Sequence, residues 1–572
     1  MQSNLGLMME RFPEIGFLLS HVPFEPFSLF REIDEKLNAQ RQDFILHPEE
    51  IGELEDLEKI DIVYIFGLGL GFHYDALLEW LNAKPGRCLV FLEEDLGVID
   101  AFLQRQEAAT ILHDERVHFR LILEETMWDE MIENLAQEFV SDKIACIMLP
   151  SYTKNYGERF KEIELKLMRA TAAIHAIFSE SLHSQKIFAN LYPNFQLLPS
   201  AFFANKLENQ FPKVPAIICG AGPSLKTAIP ILSEMENQAL IIAGGSTITA
   251  LSRQGIEPHL GIALDPNSEE YERLRPSQAF EIPFLYANRV FPDVFATCNG
   301  PCGYLRSDTG GLTERWIEEK LGIEGEAIGP DLGREAFSVT TLAIALAYAM
   351  GCDPIILVGV DLAYTGMQRY ADGVLETAND VSLDAAQADK RLTEQLLTRT
   401  DRKGNTVYTM LKWVMESSCI SSYARAHPER TFINATDGGI GFTHVPYLPL
   451  EEAVREKCTA HFNLRGKIHS LIQQNALSHI RPESVQALFA ELKTSLQRTL
   501  QLAEEIPQEK TGRRAVLEMD FVDEMAFECF LQPLGPALDR ILNRYFAPKE
   551  RESVKWKEIH SVITQYLDIL DD

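Results

Sequence analysis

The chain has 572 residues, 46% apolar and 24% charged, a soluble globular composition with length for three or four domains. Lys and Arg total 53 against 84 Asp and Glu, a net charge of −31 that disfavours nucleic acids and anionic membranes as partners. No stretch approaches the ~18 apolar residues of a membrane span, the amino terminus lacks signal-peptide character, and nine scattered cysteines suit a reducing compartment, so a cytoplasmic protein is expected.

The excess acid is uneven: residues 1–200 hold 17 basic and 34 acidic side chains. Residues 1–60 read as mixed helix and loop. Asp61–Phe66 is a short β-branched and aromatic run, which predicts a buried strand. Gly67-Leu-Gly-Leu-Gly71 follows, then helical spacing over 72–81, a turn at Gly86 and a second strand over 87–92 ending in Glu93 and Glu94. Further on, 143–149 predicts a strand and 156–180 a long helix.

A second series begins near residue 215. Strands are predicted over 215–219, 239–243, 259–264, 283–286 and 354–358, with helices over 225–235 and 335–350, the latter stopped by Gly351. Alternation at this spacing argues for parallel, doubly wound sheets. Residues 366–410 are polar and read as a long loop or lid. From about 451 onwards strand signals vanish and helical spacing takes over. The expected fold class is therefore α/β: two Rossmann-like doubly wound parallel-sheet domains in tandem, over 1–195 and 196–450, followed by an α-helical C-terminal domain over 451–572.

Two glycine turns invite a ligand. Gly67, Gly69 and Gly71, with Glu93 and Glu94 about 22 residues later, have the layout of a nucleotide site in which an acid accepts ribose hydroxyls; the alternative is a turn that only packs strand on helix. Gly220-Ala221-Gly222-Pro223-Ser224 is more specific. Its glycines free the backbone, Pro223 suits a first helical turn, and the N–H groups of the helix start can face a phosphate. Gly244-Gly245-Ser246-Thr247 and Asp265-Pro266-Asn267 end the next two strands and should open on the same sheet edge, where such folds bind ligands. Asp265 could equally be a helix cap. Asp361, Tyr364 and Tyr370 follow the strand over 354–358; two phenols on one loop can donate to a departing phosphate, or simply be half-buried aromatics.

Other chemistries find no support. Cys298 and Cys302 lack a second pair at zinc spacing, so no metal site is expected. There is no phosphate loop of the Gly-x-x-x-x-Gly-Lys-Ser/Thr type, no Gly-x-Ser-x-Gly elbow, no His-Glu-x-x-His and no clear Asp-x-Asp pair in the middle domain. His259, His427 and His444 are isolated and read as structural.

Cys219-Gly-Ala-Gly-Pro-Ser-Leu225, Ala243-Gly-Gly-Ser246, Leu264-Asp-Pro266, Ile356-Leu-Val-Gly-Val-Asp-Leu-Ala-Tyr364 and Asn434-Ala-Thr-Asp-Gly-Gly439 together resemble the middle domain of the motility-associated factor (Maf) family. That resemblance covers about 200–445, and the unit around Gly67–Glu94 and the helical tail look like the flanking Maf regions. Maf proteins are implicated as flagellin glycosyltransferases that attach nonulosonic acids such as pseudaminic or legionaminic acid, and the domain family includes 6-hydroxymethylpterin diphosphokinase-like proteins. The motifs look more distantly like bacterial sialyltransferases that use CMP-sugars and carry a Cys-Gly-Asn-Gly-Pro-Ser turn. Ala221 stands where that asparagine would be. Tyr364 and Tyr370 keep the sialyltransferase tyrosine spacing, shifted by one residue relative to Asp361, but no histidine follows before His427, so the base is unassigned.

The resemblance implies a metal-independent transfer of a nonulosonic sugar from a CMP donor to Ser or Thr of a flagellin-like acceptor. Gly220, Ala221, Gly222, Pro223, Ser224, Gly245, Ser246, Thr247, Asp265, Asn267 and Ser338 would then bind the nucleotide, with Asp361, Tyr364 and Tyr370 catalytic. No cofactor is required beyond the donor, and neither nucleic acid nor membrane is a partner. The runner-up is an ATP- and Mg²⁺-dependent pyrophosphokinase using Asp265 and Asp361. A third possibility is a non-catalytic relative.

Overall fold

The computed structural model describes residues 3–24, 57–122, 124–149, 152–307, 309–330, 332, 338–372, 374 and 392–571. The chain divides into two compact units, Met1–Phe178 with Lys390–Thr393, and Ser179–Asp389 with Glu394–Asp572.

The first unit carries β1 (Ile62–Phe66), β2 (Cys88–Glu93), β3 (Val117–Leu121) and β4 (Ile144–Met148). They form a parallel sheet in the order β3-β2-β1-β4. Every residue of β1 is buried, which explains its unbroken apolar run: a central parallel strand is covered on both faces. β3 reads Val-His-Phe-Arg-Leu, and its two polar residues hid it from a search for apolar runs.

The second unit holds β5 (Phe202–Phe203), β6 (Ala216–Cys219), β7 (Leu240–Gly244), β8 (Leu260–Ala263), β9 (Phe284–Tyr286), β10 (Cys302–Tyr304), β11 (Ile355–Val358), the hairpin β12 (Leu396–Thr400) and β13 (Thr406–Met410), and β14 (Phe432–Asn434). Eight of these form one parallel sheet in the order β14-β11-β6-β7-β8-β9-β10-β5. Successive side chains point to opposite faces. Ile217, Ile241, Ile356 and Val358 enter one core, while Ile218, Ile242, Leu357 and Leu260 enter another with Leu342 and Leu346 of the helix Val339–Ala349. The first of these cores also takes in Leu492, Leu496, Ile563 and Tyr566 of the two long helices Pro482–Glu505 and Pro548–Asp571.

The fold is thus parallel α/β in both units with a helical C-terminal region, as the sequence pattern predicts. One local expectation is corrected. Of the loop or lid over 366–410, residues 373 and 375–391 lie outside the described residues, but 396–410 is an antiparallel hairpin, Leu397 opposite Thr409 and Arg399 opposite Val407. Its Thr-rich, half-exposed strands alternate too weakly to show in the sequence. Among the described residues no helix is long and apolar enough to cross a membrane.

His259 ties the sheet together. Its Nδ1 accepts the Ile241 N–H at 3.0 Å and its Nε2 lies 2.9 Å from the Glu236 carbonyl, which fixes the Nε2–H tautomer. Burial pushes its pKa down to about 4. An unfolded histidine takes up a proton near pH 6.5, so between these values the unfolded chain binds more protons and stability falls as the pH drops. His259→Leu should lower stability at pH 7 by about 1–3 kcal/mol by orphaning the Ile241 N–H, and should flatten the loss of stability between pH 6.5 and 4; thermal denaturation at both pH values reads both effects.

Candidate functional site

From β6 the chain builds the sheet outward through β7, β8, β9 and β10, then returns with β11 on the other side of β6. The carboxyl ends of β6 and β11 therefore flank a topological switch point, where parallel sheets leave a crevice. The turns leaving these strands touch. The Gly220 N–H donates to the Val358 carbonyl at 2.7 Å and the Gly222 N–H to the Gly359 carbonyl at 2.8 Å. A Cβ on Gly220 would stand 2.5 Å from the Gly359 oxygen.

Asp361 sits at the centre of this contact and is 1% exposed. Its Oδ2 accepts the Ser224 hydroxyl at 2.6 Å, and Oδ1 accepts the Ser224 N–H at 3.3 Å. Burial raises its carboxyl pKa, and the Ser224 bonds oppose that shift. Cβ atoms on Gly222, Gly438 or Gly439 would all run into Asp361. The Gly-Gly pair of the Asn434–Gly439 motif thereby makes room for this one residue.

Around the switch point lies a cavity of about 470 Å³. Gly220, Ala221, Gly222, Gly245, Ser246, Thr247, Asp265, Ser338, Asp361 and Tyr370 all line it. The strand-end turns after β6, β7, β8 and β11 thus meet at one cavity, and Ser224 and Asp361, 137 positions apart, are hydrogen-bonded. Four expected residues are absent from the lining. Pro223 and Ser224 lie behind the turn, and the Ser224 hydroxyl and N–H, expected to face a phosphate, serve Asp361 instead. Asn267 folds back, donating its N–H and Nδ2 to Asp265 Oδ1 at 3.0 and 2.8 Å. Tyr364 is 2% exposed. Its N–H donates to the Tyr408 carbonyl at 2.8 Å, and its ring packs on Trp413 with centroids 5.3 Å apart. This pins the ring into a small cluster with Met410, so only one of the two phenols, Tyr370, reaches the cavity.

Besides Asp265 and Asp361, the lining carries charged side chains that the sequence does not single out. Arg273 Nη1 lies 3.4 Å from both Asp265 Oδ2 and Glu270 Oε2. Glu270 is 1% exposed, and its Oε1 has no hydrogen-bond partner among the described residues. Burial lifts its pKa to about 7. Gly245 leaves space for it, since a Cβ there would stand 3.0 Å from Oε1. Arg289 pairs with Glu180 at 3.0 Å. Arg369 lies over the rings of Tyr370 and Trp413, 5.2 and 5.7 Å from their centroids, and no carboxylate pairs with it among the described residues. Glu416 accepts the Ser338 hydroxyl at 2.6 Å, and burial lifts its pKa to about 7. None of these lies in a glycine turn, and single Arg and Glu residues on helices and loops carry no spacing signal.

Residues 189–367 match the family model described as 6-hydroxymethylpterin diphosphokinase MptE-like. The MptE-like match covers the turns after β6, β7, β8 and β11 and stops before Arg369, Tyr370, Trp413 and Glu416. A solved structure of a Maf glycosyltransferase from Magnetospirillum magneticum AMB-1 aligns with 99% of this chain and 94% of its own at 15% identity, with a TM-score of 0.47. No curated protein matches the chain.

The two acids of the Gly67 unit already have partners within it. The Glu93 carboxylate is buried and already accepts the Leu68 N–H, the Tyr152 hydroxyl and the Glu94 and Asp95 N–H groups at 2.8–3.0 Å. Glu94 pairs with Arg159 at 2.7 Å. Cβ atoms on Gly67 or Gly71 would meet Leu149 or Phe102, so those glycines serve packing.

Gly222→Ala should displace Asp361 from Ser224 and cost about 1–3 kcal/mol, read as a lower melting temperature. Ala221→Ser, one residue away on the same turn, should melt within about 0.5 kcal/mol of the parent protein.

Proposed function

We propose that the second unit is a glycosyltransferase that moves a nonulosonic acid from a CMP donor to a Ser or Thr hydroxyl of a flagellin-like protein in the cytoplasm. The motif resemblance supplies the reaction class. Arg369 is the observation that carries the reading: a cation without an acidic partner among the described residues, placed over the rings of Tyr370 and Trp413 in the wall of the switch-point cavity. A CMP-nonulosonic acid is doubly anionic, with a phosphodiester and a sugar carboxylate, and an aromatic-backed guanidinium suits either group. The volume of about 470 Å³ falls in the range of small-ligand sites.

In this reading the sugar–oxygen bond to the CMP phosphate breaks as the acceptor oxygen attacks. Arg369 and the Tyr370 phenol meet the charge growing on the phosphate. Asp361 holds the turns in place from beneath. Ser246, Thr247 and Asp265 offer hydroxyls and a carboxylate to the ribose and base.

The MptE-like match favours a second reading, pyrophosphoryl transfer from ATP to a pterin alcohol. Asp265 and Asp361 both line the cavity and are the carboxylates that would hold Mg²⁺. Each already has a partner, Asp361 in Ser224 and Asp265 in Arg273 and Asn267. Mg²⁺ would therefore have to compete with those contacts.

Calorimetry separates the two. CMP and CMP-pseudaminic or CMP-legionaminic acid should bind equally well with Mg²⁺ or EDTA, and Arg369→Ala should weaken CMP-sugar binding at least tenfold, about 1.4 kcal/mol. Binding of ATP only with Mg²⁺, and none of CMP, sinks the transferase reading in favour of the kinase.

A further inference from the structure

Resting on the transferase reading, we infer that Glu416 is the catalytic base that activates the acceptor hydroxyl. A base needs one atom held and another free to meet the proton it takes. Glu416 lies one turn after Trp413 on the helix Leu411–Ala426, and both line the cavity. The Ser338 hydroxyl donates to its Oε1 at 2.6 Å. Ser338 is itself fixed as the cap of the helix Val339–Ala349, where its Oγ accepts the Thr341 N–H and its own N–H donates to Thr341 Oγ1. Oε1 is therefore oriented by a rigid element, and no hydrogen bond is made to Oε2 among the described residues.

The other buried acid of the cavity fits the role less well. Both Glu270 oxygens sit against the Gly245 backbone, at 3.0 and 3.2 Å from the place of a Cβ, and Oε1 is closed to solvent. Asp361 is engaged by Ser224 through both oxygens. Glu416 is left as the carboxylate with a held oxygen and an open one.

The step balances. The acceptor O–H gives its proton to Glu416 Oε2 while its oxygen forms a bond to the anomeric carbon. The bond from that carbon to the CMP phosphate oxygen breaks, and its electron pair leaves with CMP. The phosphate goes from one negative charge to two, and the proton on Glu416 then passes to water. Burial keeps Glu416 near pH 7, close to the working pH at which a base is most effective. The charged group acting on it is Lys412 on its own helix, which pairs with Glu394; the titratable groups Arg369, Tyr370 and Asp361 line the same cavity.

The test measures CMP release from CMP-pseudaminic and CMP-legionaminic acid by the full-length protein, with recombinant flagellin as acceptor, from pH 5.5 to 8.5. The wild-type rate should rise through a limb near pH 7. Glu416→Gln should lower the rate at least ~100-fold and abolish the limb, with CMP affinity within threefold of wild type. Ser338→Ala removes a bond that favours the charged carboxylate, so its limb should move to higher pH, an effect that lost stability alone does not produce. Glu416→Asp, which keeps a carboxylate on a shorter arm, should recover part of the rate. If Glu416→Gln releases CMP within threefold of wild type, or keeps the limb, the assignment of Glu416 falls and the transferase reading stands. If wild type releases no CMP from either donor, the transferase reading falls and the base with it.

Discussion

One buried carboxylate organises the second unit's site. Asp361 lies at the end of β11 with almost no exposure, an environment that penalises a charge unless hydrogen bonds replace its water. Ser224 supplies those bonds from the turn after β6. The residues around it must then do without side chains: Gly222 from one turn, Gly438 and Gly439 from the loop after β14. Two segments far apart in the chain are glycine-rich for the same reason, and the Ile440 N–H closes the contact on the Asp361 carbonyl at 3.1 Å. Breaking the Ser224–Asp361 contact would leave a buried charge facing bare backbone, so the geometry of the whole switch point rests on it.

This gives the Gly220–Ser224 motif a different physical meaning from a phosphate loop. The helix that follows, Leu225–Leu232, is short, and the N–H and hydroxyl at its start are already committed to Asp361. The cation of the cavity without an ion pair among the described residues is instead Arg369, a guanidinium braced by two aromatic rings. Glycines near a ligand edge can serve close packing of one backbone on another as well as close approach of a ligand. The first unit makes the same point, since its Gly67–Gly71 loop is knitted to Glu93, whose carboxylate has four donors and none to spare.

The parts of this protein legible in the sequence are those that repeat a simple physical rule. Buried parallel strands such as Ile62–Phe66 and Ile355–Val358 announce themselves by unbroken apolar runs, and their alternation with helices implies the doubly wound sheets. Strands of two or three residues, such as β5, β10 and β14, are too short to show a period, and the Thr-rich hairpin β12–β13 is too polar. In the site, the glycine turns and strand-end residues Ser246, Thr247 and Asp265 were legible because their position at a sheet edge follows from topology. Tyr364 and Tyr370 look equivalent at a spacing of six. Only tertiary contacts with Tyr408 and Trp413 turn the first inward and leave the second in the cavity.

The charge of the chain takes its final meaning from this division. A net charge of −31 opposes an extended polyanion, yet a small anion samples only the local field. The cavity is lined by three arginines and by Glu180, Asp265, Glu270, Asp361 and Glu416; Arg273 and Arg289 are bound to Asp265, Glu270 and Glu180, while Arg369 makes no ion pair among the described residues. The wall that holds Arg369, Tyr370, Trp413 and Glu416 lies past the end of the MptE-like match. The residues that hold the turns together, Gly222, Ser224 and Asp361, are thus distinct from Arg369, Tyr370, Trp413 and Glu416 of that wall. The cation unpaired among the described residues and the paired aromatics of the cavity therefore come from the segment from Arg369 to Glu416 and not from the glycine motif.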